Sequence, residues 1–183
     1  MYKTERFEAS VSVEEYLDQY VDVETFLKCC RECSAYNVKW SCPPYDFDVV
    51  DYWRQYQVFD LTAVKILFDE AYAGRICTKE EQQEIFRKSV WKVKEELSKE
   101  LFLREQKIPG SISLSAGSCM RCGEDCSRRE GKPCPFPEEM RYSIESLGGN
   151  VGQTISRLMG IELEWMEEGR LPHYFVLVCG LLR

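Results

Sequence analysis

VFDLTAVKILFD, residues 58 to 69, is the stretch on which the fold turns. β-Branched and aromatic residues crowd it, and the Val64-Lys65-Ile66 alternation has the period of a strand. Downstream, Lys79 to Gln106 reads as one long helix. Thr78 stands as its cap, Glu80 and Glu81 favour its positive end, and Ile85, Val90, Trp91, Val93, Leu97, Leu101 and Phe102 form an apolar face. Ser111 to Ser118, SISLSAGS, alternates Ser with Ile112, Leu114 and Ala116, again at strand spacing. His173 to Leu182 reads as a buried strand from its Phe175-Val176-Leu177-Val178 run. Around these, the sequence predicts a helix from about Ser12, a short helix over Asp48 to Tyr56, helix over 151 to 160 after the Gly148-Gly149-Asn150 turn, and a short strand at Ile161 to Trp165. The order predicts an α+β fold: an antiparallel or mixed sheet with helices packed on one face, for which a ferredoxin-like split βαβ is the form to test.

A length of 183 residues predicts a single domain spanning the chain, with two cysteine-rich loops at about 29–45 and 119–137. The longest apolar run, Tyr174 to Leu182, is far shorter than the roughly 20 residues of a membrane span. The start, Met-Tyr-Lys-Thr-Glu-Arg, lacks the apolar core of an export signal, so the expected place is the cytoplasm and a membrane is not an expected partner. A net charge of −7 argues against nucleic acid as a partner, because it repels phosphate. There is no Gly-x4-Gly-Lys-Ser/Thr loop for nucleotide. His173 is the only histidine, which removes histidine-paired nucleophiles and His-rich metal sites.

The ten cysteines are the anomaly. In 183 residues they fall below the roughly 8 to 10% of a disulfide scaffold, and reducing conditions keep such thiols free, so metal ligation is the leading explanation. The second group, Cys119-x2-Cys122-x3-Cys126-x7-Cys134-Pro135, sets four thiols in one segment too polar to hold itself together. A tight turn, eased by Gly123, aims two sulfurs at one centre, and the longer return brings the others round. An iron-sulfur cluster, 4Fe-4S in kind, and zinc both use such a shell. The short spacings ending in Cys-Pro favour the cluster over two separated zinc knuckles. The first group, Cys29-Cys30-x2-Cys33-x8-Cys42-Pro43-Pro44, repeats the pattern with Cys30, Cys33 and Cys42 as ligands of a second cluster. Cys29 ranks below them, because adjacent cysteines strain to reach one metal, and another part of the fold could supply the fourth ligand. Cys77 and Cys179 read as packed core residues.

Cys30-x2-Cys33-x2-Tyr36, Trp40-x-Cys42-Pro43-Pro44, the Cys119-to-Cys134 group and Arg141-Tyr142-Ser143-x-Glu145 together resemble a prokaryotic family of predicted metal-binding proteins, domain of unknown function 2284. The likeness runs from about Phe26 to the C-terminus. The chain departs from the pattern in the extra Cys29 and in Asn37, where glycine follows the tyrosine. The resemblance implies a cytoplasmic metal protein and no particular reaction. Tyr142, Ser143 and Glu145 match its motif and stand as cofactor-binding candidates, able to hydrogen-bond cluster sulfurs or the ligand loops. Three readings follow: an electron-transfer protein with one or two iron-sulfur clusters and a redox partner protein, a zinc-stabilised interaction protein, or an enzyme with an open three-cysteine cluster site.

Overall fold

In the computed structural model, which describes residues 1–183, the chain runs β1 (Tyr2–Ser12), α1 (Val13–Tyr20), α2 (Val23–Arg31), α3 (Val49–Trp53), β2 (Val58–Phe68), α4 (Lys79–Lys88), α5 (Val90–Glu105), β3 (Ile112–Leu114), α6 (Val151–Met159) and β4 (Tyr174–Leu182). Short 3-10 turns lie at Ser127–Glu130 and Glu145–Leu147. The four strands form one sheet in the order β1-β2-β4-β3, and every neighbouring pair is antiparallel. The fold is α+β, as the sequence predicts. β2 and β3 are both antiparallel to β4, which lies between them, so they run parallel to each other and are joined through α4 and α5, the arrangement of a split βαβ unit.

Helices cover both faces of this sheet, not one. The reason lies in β2, where both residue parities are apolar. Phe59, Leu61 and Ala63 point to the larger core with Val13, Tyr16, Trp53, Ile144, Leu147 and Ile155. Val64 and Ile66 point the other way, onto Val93, Leu97 and Leu101 of α5. The register keeps the faces consistent, with Ala63 opposite Val178 and Val64 opposite Leu177. Gly180 sits where the sheet has no room for a side chain, since a Cβ there would lie 2.5 Å from Asp60 O.

The structure corrects the sequence reading in five further places. Residues Tyr2–Ser12, to which the sequence reading assigns no element before the helix at Ser12, form an edge strand whose charged residues face solvent, a common guard on an open edge. Ser12 still caps α1, accepting from Glu15 N at 3.2 Å. The long helix is two helices. Thr78 makes the full capping box of α4 with Glu81, but at Ser89 the backbone leaves the helical region (φ −125, ψ −82) and its hydroxyl donates to Ile85 O at 2.6 Å. The SISLSAGS strand shortens to Ile112–Leu114, and Ile161 to Trp165 forms no strand. Finally Cys29 and Cys30 belong to the last turn of α2, not to a loop. No helix is long and apolar enough to cross a membrane.

Candidate metal centre

The first cysteine group is built by a descending series of turns. Glu32 N donates to Cys29 O at 3.2 Å, Cys33 N to Cys30 O at 3.0 Å, and Tyr36 N to Cys33 O at 3.0 Å. Asn37 then takes φ 54, in the left-handed region where glycine is the usual residue and asparagine its commonest substitute. Asn37 N donates to Pro43 O at 2.8 Å and closes the loop, so that Cys42 returns toward Cys33. Cys30, Cys33 and Cys42 lie near enough to act on one another's charge. Burial first, then the neighbouring Cys42, Cys33, Glu145 and Cys29, pushes the Cys30 thiol up to about 11, and burial with Cys33 raises Cys42 despite a bond to Ser41. Cys29 and Cys33 are exposed, while Cys42 is buried.

The second group lines a single cavity. Cys119, Cys122, Cys126 and Cys134 all face it, with Lys39, Trp40, Ser41, Arg121, Gly123, Phe136 and Met140 completing the wall. Gly123 turns at φ 56, as its place after Cys122 predicts. Burial raises the Cys122 thiol, and so do Cys126, Cys119 and Cys134, as expected of thiols gathered round one space. Arg121 N approaches Cys119 Sγ at 3.5 Å. All ten cysteines are free thiols. No group of three or more Cys, His, Asp and Glu side chains stands in an arrangement that could hold one metal ion.

The two cysteine loops are clamped together by residues the sequence did not single out for this task. Arg128 stretches its guanidinium over the first loop and donates to Lys39 O at 2.9 Å, Cys42 O and Pro44 O at 2.6 Å, while stacking on Trp40 at 5.0 Å. In return Trp40 Nε1 donates to Lys132 O at 3.1 Å, Lys39 Nζ donates to Cys119 O at 2.9 Å, and Ser41 Oγ accepts from Cys119 N at 2.9 Å. Lys94 of α5 reaches in from below and donates to Ser118 O at 2.6 Å. Burial and Lys39 lower its pKa, against the opposing pull of Glu145, Cys119 and Cys42, which places this ammonium between the two groups. In sequence Lys94 looks like one more solvated helix lysine.

The remaining candidates divide. Tyr142 packs in an aromatic cluster with Tyr45, Phe47 and Tyr52, its ring centroid 5.0 Å from that of Tyr45. Ser143 closes a small turn with Ser146, each backbone N–H donating to the other hydroxyl. Only Glu145 is brought against the cysteines, where it acts on Cys30. Its Oε2 is enclosed and has no hydrogen-bond partner, and burial, outweighing the bonds and the distant Lys94 charge, raises its carboxyl. Cys77 and Cys179 are buried away from both groups.

A family model described as "Predicted metal-binding protein (DUF2284)" matches residues 17–179. No curated protein and no solved structure matches the chain.

Proposed function

Because the chain belongs to the DUF2284 family of predicted metal-binding proteins, we infer that its metal is held as iron-sulfur clusters and that it carries electrons to and from a partner protein. The observation that carries this reading is the cavity lined by four free thiols. Zinc, with Zn–S near 2.3 Å, draws four sulfurs onto one centre. The short spacings that end in Cys134-Pro135 suit a cluster better than two separated zinc knuckles. Cys119, Cys122, Cys126 and Cys134 would hold one cluster, and Cys30, Cys33 and Cys42 would serve the other. Such clusters supply one-electron chemistry at a potential set by burial and by hydrogen bonds to sulfur.

The chain's own residues fit that use. Arg121 N points at Cys119 Sγ, a bond that favours a charged sulfur. Lys39 and Lys94 place positive charge between the two groups, which favours added negative charge on either. Phe136, exposed at the rim of the second cavity, and Met120, exposed next to Cys119 in the chain, offer an apolar contact for a docking partner within reach of the cysteines. Protein purified without oxygen is expected to be brown, to carry iron with matching acid-labile sulfide, and to give a paramagnetic signal on one-electron reduction. Colourless protein with zinc and no sulfide refutes the cluster and leaves the metal as a structural clasp for the loops.

A further inference from the structure

Cys30, Cys33 and Cys42 stand near enough to act on one another's charge, and the fourth place of the group is open. Two side chains compete for that place. Cys29 is exposed in the last turn of α2 and adjacent in sequence to Cys30, so successive side chains leave the helix about 100° apart and diverge. Glu145 comes from the far side of the chain. Its turn, Glu145–Leu147, packs directly on α2, and the backbone pins it there. Asp22 N donates to Gly148 O at 2.9 Å, and Gly148 lies so close to α2 that a Cβ would come 2.9 Å from Val23 Cα. Trp53 Nε1 holds the other end through Leu147 O at 2.9 Å.

The carboxyl group is thus held where its turn packs on α2, near enough to act on the charge of Cys30, with one oxygen closed off from solvent and bonded to nothing. A buried, unpartnered carboxylate oxygen is costly unless a cation meets it. Lys94 is the cation that acts on Glu145, but its ammonium is directed to Ser118 O at 2.6 Å. We propose that Glu145 is the fourth ligand of the first group, so that Cys30, Cys33, Cys42 and the Glu145 carboxylate hold one iron-sulfur cluster at its separate corners, through three sulfurs and one oxygen. This rests on the reading that the group holds metal. It also makes the centre unequal: the corner held by oxygen exchanges more readily than the three held by thiolate, and is the place where an outside ligand enters.

The test compares Glu145→Gln, Cys29→Ser and Cys30→Ser in the full chain, prepared anaerobically. Iron and sulfide per chain, chelator release and the spectrum of the reduced protein are read for each. Glu145→Gln is expected to release first-group metal at least tenfold faster, or to change its spectrum, while the second group's signal persists and Cys29→Ser behaves as wild type. Its metal-free form should melt no lower than metal-free wild type, which separates a lost ligand from a damaged fold. Should Glu145→Gln misfold, Glu145→Asp keeps the carboxylate and is expected to retain metal with an altered spectrum. Wild-type metal and spectrum in both Glu145 variants, or loss in Cys29→Ser instead, overturns the assignment and leaves the two-site reading standing. Equal metal in wild type and Cys30→Ser overturns the assignment together with the first site itself.

Discussion

Arg128 offers the sharpest test of how the two loops are joined. Replacing it with alanine removes three donated bonds, to the carbonyls of Lys39, Cys42 and Pro44, and the stacking on Trp40. The Pro44 bond is solvent-facing, so water takes it over. The other two are half-enclosed. Bonds from a charged donor contribute about 1.5–3 kcal/mol each, and water entering the vacated space restores part, which leaves a loss of about 2–4 kcal/mol. For a chain of this length that corresponds to a melting temperature lower by roughly 5–15 °C. Because the Cys119-to-Cys134 segment has little core of its own, the loss should fall first on that segment, as faster metal release and protease cleavage between Cys119 and Pro137. Arg128→Lys keeps the charge without the planar fork and should recover less than half of the loss. The measurements are thermal melting and chelator-driven metal release of the anaerobic protein. An Arg128→Ala protein that melts within about 1 °C of wild type and releases metal at the same rate would show that the loops are held together by something else.

Cys122→Ser is expected to lower bound metal and loosen the second loop, while Cys179→Ser, whose thiol is buried in the sheet and donates to Thr62 O, should leave metal content near wild type; equal loss in both contradicts the ligand assignment. Glu105 gives a pH signature. Burial alone would raise its carboxyl, but Arg141 and the Ser113 hydroxyl and N–H outweigh it and hold the group below its ordinary value. Its contribution is therefore present above the unfolded-state value near 4.5 and is lost as pH falls through the lower folded value. Glu105→Gln, which weakens the charged bonds to Arg141 and Ser113, should be less stable than wild type by about 1.5–3 kcal/mol at pH 7, with the gap closing below pH 4.5; a gap that stays constant from pH 7 to pH 3 in denaturant titrations contradicts this.

Strands β2 and β4 were legible because their β-branched runs leave no other way to bury them, and helix α4 because Thr78 and Glu81 spell a capping box. β1 was not, since its residues are chosen for an edge and carry charge where a core strand would carry apolar groups. The break at Ser89 was hidden because α4 and α5 both bury aliphatic residues at helical spacing on either side of it. Helices on both faces follow from the double-sided apolar pattern of β2, visible in residues 59 to 66 once the register is known. The cysteine spacings pointed to the two groups, and the second now lines one cavity. The clasp between them was invisible. Arg128, Lys39 and Lys94 act through backbone carbonyls far away in sequence, and a lysine or arginine among other charges gives no sign of that.

The position of β4 sets the timing of assembly. This strand fills the gap between β2 and β3, so neither side of the sheet is joined until Tyr174–Leu182 has been made. Cys134 precedes Tyr174 by 40 residues, an interval of roughly 2–8 s at ordinary translation speed. During that interval every thiol of both groups has been synthesised while the scaffold that orients them is still incomplete. Delivery of metal must then wait for the finished polypeptide, or rely on a carrier that shields the nascent sulfurs.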